Sequence, residues 1–242
     1  MATRNNPTLR GIWTWLVLAC VGLAALTPVA LLPRLRWRRA AGRVAVRVFL
    51  TLTGVSLRVA GLERLPPAAA IVVANHASYL DGPVLFAALP PRFGFVIKKE
   101  VSRLPVGGFL LRRLEHQFVD RFNRHAGAID MRRILRTVAA GHSLAFFPEG
   151  TITARAALGR FHTGAFVAAC RAGVPVVVVV IRGTRRVLPA SRLFLSAGSI
   201  EIEVLGTLPP GDETAAATGL RDAARAMILQ ALDEPAVEQL DP

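Results

Sequence analysis

A histidine and an aspartate follow a short apolar run closely enough to act as a pair. Residues 69–74 are apolar, Asn75 ends the run, and His76 and Asp81 follow with four residues between them. An imidazole can accept a proton near neutral pH, and a carboxylate can hold it in one tautomer. The spacing therefore predicts a general base at the end of a strand. Each residue also has a structural interpretation, because a histidine there often only packs and Asp before Gly-Pro is a good helix N-cap.

A second apolar run, at residues 143–147, also ends in polar residues. Pro148 is followed by Glu149, Gly150 and Thr151. A carboxylate on flexible backbone at a sheet edge can hold a substrate hydroxyl or a phosphate. The pattern predicts a substrate-binding turn, although taken alone it is also an ordinary turn.

A third short run, at residues 117–119, is followed by Asp120 and Arg121. The arginine is long enough to reach an anionic headgroup held at the same sheet edge. The alternative is a surface ion pair between the two neighbours, which carries little free energy.

The elements that must position these residues alternate along the chain. Strands are predicted at 71–74, 93–97, 117–119, 143–147, 174–181 and 199–205, and helices at 81–89, 106–114, 124–140, 163–172 and 212–232. This alternation predicts an α/β fold with a mixed, mostly parallel sheet flanked by helices. The β-branched run at 174–181 predicts a strand covered on both faces, and the alternation at 199–205 predicts one wet face. Ligands collect at the carboxyl ends of such strands.

The start of the chain predicts contact with a membrane. Residues 12–32 are apolar over about the length that crosses a bilayer core, and Trp13 and Trp15 lie where interfacial aromatics collect. Arginines follow the segment, so the positive-inside rule predicts that the bulk of the protein is cytoplasmic. A cleaved signal peptide is the alternative, and Pro28 also permits a bent hairpin within one leaflet. Spanning and single-leaflet insertion both stay open.

A second apolar stretch, at residues 44–57, predicts either an amphipathic segment at the membrane or a core helix. Residues 61–67 resemble a connector in composition. We therefore predict an N-terminal membrane-associated helical region at 1–60 and a globular domain at 61–242.

The charge of the chain predicts an anionic partner. Lys+Arg number 30 against Asp+Glu 16, the formal net charge is +14, and mean hydropathy is +0.43. The arginines concentrate beside an apolar segment and no nucleic-acid motif is present, so anionic lipid is favoured and nucleic acid is not. Cys20 and Cys170 are interpreted as reduced packing residues, and no metal-ligand spacing occurs.

Together the strand ends resemble a known family, the bacterial 1-acylglycerol-3-phosphate acyltransferases, over roughly residues 57–208. The four matching blocks are Asn75-His76-(four residues)-Asp81, Phe118-Val119-Asp120-Arg121, Phe147-Pro148-Glu149-Gly150-Thr151 and Gly173-Val174-Pro175-Val176-Val177. Lys98 and Glu100 also resemble the basic segment between the first two blocks. No single block is specific to this family, but the order and spacing of the four blocks together are specific to it.

The resemblance implies an O-acyltransferase domain at 61–242 that needs no cofactor besides its acyl donor, acyl-CoA or acyl carrier protein. His76 would be the general base on the free hydroxyl of a lysolipid, and Asp81 would orient the imidazole and stabilise its charged form. The polar head of the acceptor would be bound by Arg121, Glu149, Gly150, Thr151 and Lys98.

Departures from the family pattern fall where the headgroup would bind. Ile152 stands where many members carry arginine or serine, and His162 where lysine is frequent. Arg155 or Arg160 is a possible substitute for the missing phosphate contact. Acyl transfer is therefore predicted, with 1-acylglycerol-3-phosphate as the acceptor and lyso-ornithine lipid or another lysophospholipid as alternatives. A non-catalytic membrane-binding protein is the alternative from a different class, and no Gly-x-Ser-x-Gly elbow supports a serine hydrolase.

Overall fold

Seven strands form one mixed sheet in the order β1-β7-β6-β2-β5-β3-β4. The structure, a computed structural model, describes residues 7–120, 124–152, 156–192, 194–211, 216–232 and 235. The strands are β1 (Val55–Ala60), β2 (Ile71–Ala74), β3 (Phe93–Lys98), β4 (Gln117–Val119), β5 (Ser143–Phe146), β6 (Val176–Arg182) and β7 (Gly198–Leu208). Strands β6, β2, β5, β3 and β4 are parallel, whereas β7 is antiparallel to β6 and parallel to β1. The predicted fold class is confirmed.

Helices cover both faces of this sheet. They are α1 (Pro7–Leu31), α2 (Leu35–Leu52), α3 (Asp81–Ala88), α4 (Pro105–Arg113), α5 (Arg124–Ala139), α6 (Gly164–Ala172), α7 (Thr184–Val187) and α8 (Ala216–Ala231). The side chains of β6 alternate between two cores. Val177, Val179 and Ile181 pack with α2 and α3, whereas Val178 and Val180 pack with α5, α6 and α8. The prediction that this strand is covered on both faces is therefore confirmed.

The first helix lies along the globular domain. Residues Thr8–Leu31 are long and apolar enough to cross a membrane by length and composition. Both ends of the helix are nevertheless bonded to the rest of the chain. Near its start the Nε–H of Arg10 donates to the carbonyl of Leu195 at 2.9 Å, and near its end the carbonyl of Ala30 accepts from the Arg113 guanidinium. Helix α1 therefore packs against α2 instead of projecting away from the domain.

Four arginines of α2 bind backbone carbonyls of the globular domain. They are Arg38, Arg39, Arg43 and Arg47. Arg39 is 2% exposed and donates to the carbonyl of Leu114 at 2.9 Å, and its burial lowers the pKa of its guanidinium to about 10. These contacts fix α2 on the domain. Within this basic stretch, the residues predicted to contact anionic lipid are therefore Arg34 and Arg36. Their guanidiniums lie over the Trp37 ring.

The second apolar stretch contains a strand that the sequence pattern did not predict. Helix α2 ends at Leu52, and β1 then pairs in parallel with β7. Within β1, Val55 is buried and Arg58 is exposed. Only Thr53 and Gly54 separate the helix from the strand, so their apolar residues read as one stretch in the sequence. The predicted domain boundary between residues 60 and 61 stays a prediction. Strand β1 lies on the N-terminal side of that boundary and nevertheless pairs with β7 of the sheet.

Candidate active site

His76 and Asp81 form a hydrogen-bonded pair in the turn after β2. The Nδ1 atom of His76 lies 3.0 Å from Oδ2 of Asp81. The same oxygen accepts the backbone N–H groups of Ala77 at 2.6 Å and Ser78 at 2.7 Å. Because the carboxylate is the acceptor, Nδ1 carries the hydrogen, and the lone pair of the ring belongs to Nε2.

Asp81 is fully buried at the first residue of α3. Its carboxylate reaches back to the turn, and the helix makes no side-chain cap bond. The interpretation of Asp81 as an N-cap is therefore wrong, since its bonds go to Ala77, Ser78 and the imidazole. The start of a helix and three donors stabilise a negative charge here. Its Oδ1 has no hydrogen-bond partner among the described residues.

The ring of His76 packs against an aromatic side chain, and its backbone N–H binds a second carboxylate. The ring of Phe147 stacks on His76 with 4.3 Å between centroids and 18° between planes, and the His76 side chain stays 19% exposed. Oε1 of Glu149 accepts the backbone N–H of His76 at 2.6 Å, and Oε2 accepts that of Gly159 at 2.9 Å. Glu149 thus joins the turn after β2 to the turn after β5 and to the segment around Gly159.

The surroundings of Glu149 depend on a glycine. A Cβ at position 159 would lie 2.7 Å from Oε2 of Glu149, so a side chain there would displace the carboxylate. Burial raises the pKa of the Glu149 carboxyl, and the N–H groups of His76 and Gly159 oppose the rise. The carboxylate has both oxygens on backbone donors. Its predicted role in holding the acceptor stays a prediction.

The sheet explains why these turns meet. Strand β2 lies between β6 and β5 and is parallel to both, so all three carboxyl ends open at one edge. The amide of Asn75 donates to the carbonyl of Ile181 at 2.9 Å and accepts its N–H at 2.8 Å. Ser78 Oγ donates to the carbonyl of Leu188 at 2.7 Å. These bonds fix the turn that carries His76 against the end of β6.

The structure describes three further predicted site residues, Lys98, Gly150 and Thr151. Lys98 ends β3, which β5 separates from β2, and its Nζ lies 3.8 Å from the Glu100 carboxylate. Gly150 turns the chain, with its N–H on the carbonyl of Phe147 at 3.1 Å. Thr151 is exposed. Arg121 is not among the described residues. The substrate-binding roles of these residues stay predictions.

A shallow cleft opens beside His76. Its lining consists of Asn75, His76, Ala77, Glu149, Ala157, Leu158, Arg185 and Leu232. Sequence reasoning assigned no role to Asn75 or Phe147, although both belong to the matching blocks, and it did not identify Arg185. Arg185 follows a predicted strand as closely as the residues that were identified, so the same rule applied to β6 would have found it. No group of three or more metal-ligating side chains occurs among the described residues.

The fold and the strand-end dyad place the chain in a known class. The profile of the family described as Acyltransferase matches residues 56–182, which is more than half of the chain, and the chain belongs to this family.

Named relatives come from several kingdoms. A 1-acyl-sn-glycerol-3-phosphate acyltransferase of Chlamydomonas reinhardtii is 33% identical over 175 residues, which cover 71% of this chain and 52% of the relative. The human 1-acyl-sn-glycerol-3-phosphate acyltransferase beta is 32% identical over 175 residues, 71% of this chain and 62% of that protein. The lyso-ornithine lipid O-acyltransferase of Pseudomonas aeruginosa is 32% identical over 140 residues, 58% and 53% of the two chains. The chain spans about half the length of the curated relatives it matches.

One solved structure has the same fold. The crystal structure of the 1-acyl-sn-glycerophosphate acyltransferase PlsC from Thermotoga maritima superposes with a TM-score of 0.79 over 97% of this chain and 95% of that one. The two sequences are 22% identical, so the similarity supports the architecture alone.

Proposed function

We propose that this protein transfers a fatty acyl chain from acyl-CoA or acyl carrier protein to the free hydroxyl of 1-acylglycerol-3-phosphate, which gives phosphatidic acid. The observation that carries the proposal is the His76–Asp81 pair, with Nδ1 on a buried carboxylate and the ring partly exposed at a sheet edge. Membership of the acyltransferase family and the names of the relatives support the same reaction and acceptor.

The dyad suits a direct transfer in which the substrate supplies the nucleophile. Nε2 of His76 accepts the hydroxyl proton as the oxygen attacks the thioester carbonyl, and Asp81 stabilises the imidazolium that forms. The tetrahedral intermediate then expels the thiolate, which takes the proton back from Nε2. The ester bond forms, the thioester bond breaks, and His76 ends in its starting state without a covalent enzyme intermediate.

Lyso-ornithine lipid is the second candidate acceptor. One relative at 32% identity is named for that activity, and the chemistry at the hydroxyl would be the same. The two acceptors differ in the headgroup, a phosphate in one case and an amino acid in the other. A non-catalytic membrane-binding role is the remaining alternative.

The deciding experiment supplies the full-length protein in detergent with labelled acyl-CoA or labelled acyl carrier protein and, separately, lysophosphatidate, lysophosphatidylethanolamine and lyso-ornithine lipid. We expect labelled phosphatidic acid from the first acceptor at the highest kcat/KM. Acylation of lyso-ornithine lipid alone would change the acceptor and keep the reaction. No product with any acceptor or either donor would contradict acyl transfer and favour the non-catalytic alternative.

We further propose that the protein is anchored in a single leaflet at the cytoplasmic face. Supporting this, Arg10 and Arg113 bond the two ends of α1 to the same domain, which does not suit a helix that crosses to the far side. The outer face of α1 exposes apolar side chains, including Leu16 at 54% and Leu23 at 68%. Such a face is suited to lie in the interface and bury its side chains among acyl chains.

Vesicle flotation tests the anchor. The double variant Leu16→Arg and Leu23→Arg should lose co-flotation with vesicles of anionic phospholipid, because its charges lie on the face proposed to enter the lipid. Ile129→Arg, at a 65% exposed position on α5, is the matched control and should float like wild type. Equal flotation of all three proteins would contradict the α1 anchor. Protease protection in inverted and right-side-out membrane vesicles tests the cytoplasmic assignment.

A further inference from the structure

An arginine lines the cleft beside His76, and the proposed mechanism does not use it. Arg185 lies on α7, the short helix that follows β6. Strand β6 is a direct parallel neighbour of β2, and it extends to Arg182, three residues beyond Val179, the partner of Ala74 at the end of β2. We propose that Arg185 binds the phosphate group of the lysolipid acceptor and sets the preference for phosphorylated acceptors. This inference rests on the proposed acyl transfer to a lysolipid.

The backbone that carries Arg185 is fixed relative to the turn that carries His76. Gly183, with φ +88°, turns the chain from β6 into α7, and a Cβ there would lie 2.3 Å from the carbonyl oxygen of Ser199. Only glycine suits this backbone. Beyond the arginine, the carbonyl of Leu188 accepts the hydroxyl of Ser78, two residues from His76. The segment that carries Arg185 is therefore fastened at its end to the turn that carries the dyad.

The charges around the cleft favour Arg185 for an anion. The turn at 147–152 contains no basic residue, and the Glu149 carboxylate already accepts two backbone N–H groups. Lys98 lies on β3, which β5 separates from β2. Among the described residues that line the cleft, Arg185 is the one with a permanent positive charge.

The geometry of the acceptor places its phosphate close to the base. In 1-acylglycerol-3-phosphate, the phosphate ester is on the carbon next to the one that bears the free hydroxyl. When Nε2 of His76 contacts that hydroxyl, the phosphate must lie within a few bonds of it. A planar guanidinium on the adjacent strand end can bind such a phosphate with two parallel hydrogen bonds.

The test compares two neighbouring arginines of one helical turn. Arg185 is half-buried at the cleft, whereas Arg186 is exposed and does not line it. We expect Arg185→Gln to raise KM for lysophosphatidate about 10- to 100-fold and to leave KM for acyl-CoA within about twofold of wild type, because one bidentate contact is removed from the acceptor alone. Arg186→Gln should match wild type in both constants.

A ratio measured within each protein removes the effect of folding. Wild type should prefer lysophosphatidate over monoacylglycerol, which lacks the phosphate, and Arg185→Gln should reduce that preference at least tenfold. Arg185→Lys should fall between them, because it retains the charge and loses the planar fork. Glycerol 3-phosphate should inhibit wild type and Arg186→Gln competitively against the acceptor, and inhibit Arg185→Gln weakly.

The outcomes separate the inference from the proposed function. If wild type acylates lysophosphatidate and Arg185→Gln keeps the wild-type preference, the assignment of Arg185 is wrong and acyl transfer stands. An equal rise in KM for acceptor and donor would also overturn it, since a general disturbance of the site does that. Failure of wild type to acylate any acceptor would overturn the proposed function itself.

Discussion

Two histidines of this chain each use Nδ1 in a hydrogen bond beside a parallel strand, and their surroundings give them opposite properties. Nδ1 of His76 lies 3.0 Å from a buried carboxylate oxygen, and the ring is 19% exposed at the cleft. Nδ1 of His116 accepts the backbone N–H of Phe95 at 3.1 Å inside the protein. The first imidazole can therefore gain a proton next to a negative charge, whereas the second has an amide donor on the nitrogen that would need to be protonated.

The neighbours of His116 make its protonation still less favourable. Its ring meets those of Phe86 and Phe95 edge to face, with centroids 5.6 Å and 5.5 Å away. Burial and the positive charge of Arg39 lower the pKa of His116 to about 3. The comparison teaches that a histidine near a strand end becomes a candidate base only when a carboxylate and solvent access accompany it. His116 instead packs in the region where α2 is fastened to the domain.

The largest predicted effect that tests the contrast between His76 and His116 is a loss of kcat. His76→Ala should lower kcat about 10³-fold, because a positioned general base contributes on the order of 10² to 10⁴. His116→Asn keeps an acceptor for the Phe95 N–H and should retain kcat within about twofold. Initial rates with labelled acyl-CoA measure both. Full activity in His76→Ala would end the assignment of the base.

A smaller loss is expected when the carboxylate loses only its charge. Asp81→Asn retains an oxygen that can accept the N–H groups of Ala77 and Ser78, so the turn should fold. Without the negative charge, the imidazolium is less stable, and kcat should fall on the order of 10²-fold at unchanged KM for either substrate. A loss confined to KM would show that Asp81 acts in substrate binding.

The buried histidine predicts a pH effect on stability. With its pKa lowered from 6.5 to about 3, His116 binds its proton more readily in the unfolded chain, so stability is lost as the pH falls below 6.5. Between pH 7 and pH 5, this one group should cost roughly 2 kcal/mol of unfolding free energy. Denaturant unfolding in detergent at the two pH values measures it.

Matched variants identify which group causes the loss of stability at acid pH. His116→Asn should reduce the difference between pH 7 and pH 5 by most of its predicted amount, whichever way its absolute stability changes. His142→Asn replaces an exposed imidazole and should reproduce the wild-type difference. An unchanged difference in His116→Asn would place the acid-sensitive group elsewhere.

The smallest predicted effect concerns the carboxylate that holds the backbone of His76. Glu149→Gln keeps one carbonyl oxygen but turns an NH2 group toward either the His76 or the Gly159 amide, so one hydrogen bond is lost. The free energy of unfolding should fall by about 1 kcal/mol, and kcat by a few fold. Glu63→Gln, at an exposed side chain, should change neither.

The sign of the pH effect at Glu149 is also predicted. Burial raises its pKa above 4.5, so the folded state holds this proton to higher pH than the unfolded chain does. The stability from the protonated form is present at low pH and is lost as the pH rises through the raised pKa. As the pH rises through the raised pKa, the free energy of unfolding of wild type should therefore fall relative to that of Glu149→Gln. A rise of wild type relative to the variant would contradict the predicted sign.

Local pattern predicted most elements of the sheet because their signals are local. The bounds of β2 and β4 match the prediction, and β6 is covered on both faces as its unbroken β-branched run required. Strand β1 was missed, because only Thr53 and Gly54 separate it from α2 and the apolar residues on both sides read as one stretch. Helix α5 begins at Arg124, as predicted.

By itself the sequence determined the α/β class and placed His76 and Asp81 in one turn, since four intervening residues keep them close in any compact conformation. Tertiary structure alone decided which partners those groups have. Glu149 reaches the His76 backbone because β5 lies beside β2, and Arg185 shares the cleft because β6 lies on the other side. Strand order depends on long-range packing of both sheet faces, which no local pattern of residues records.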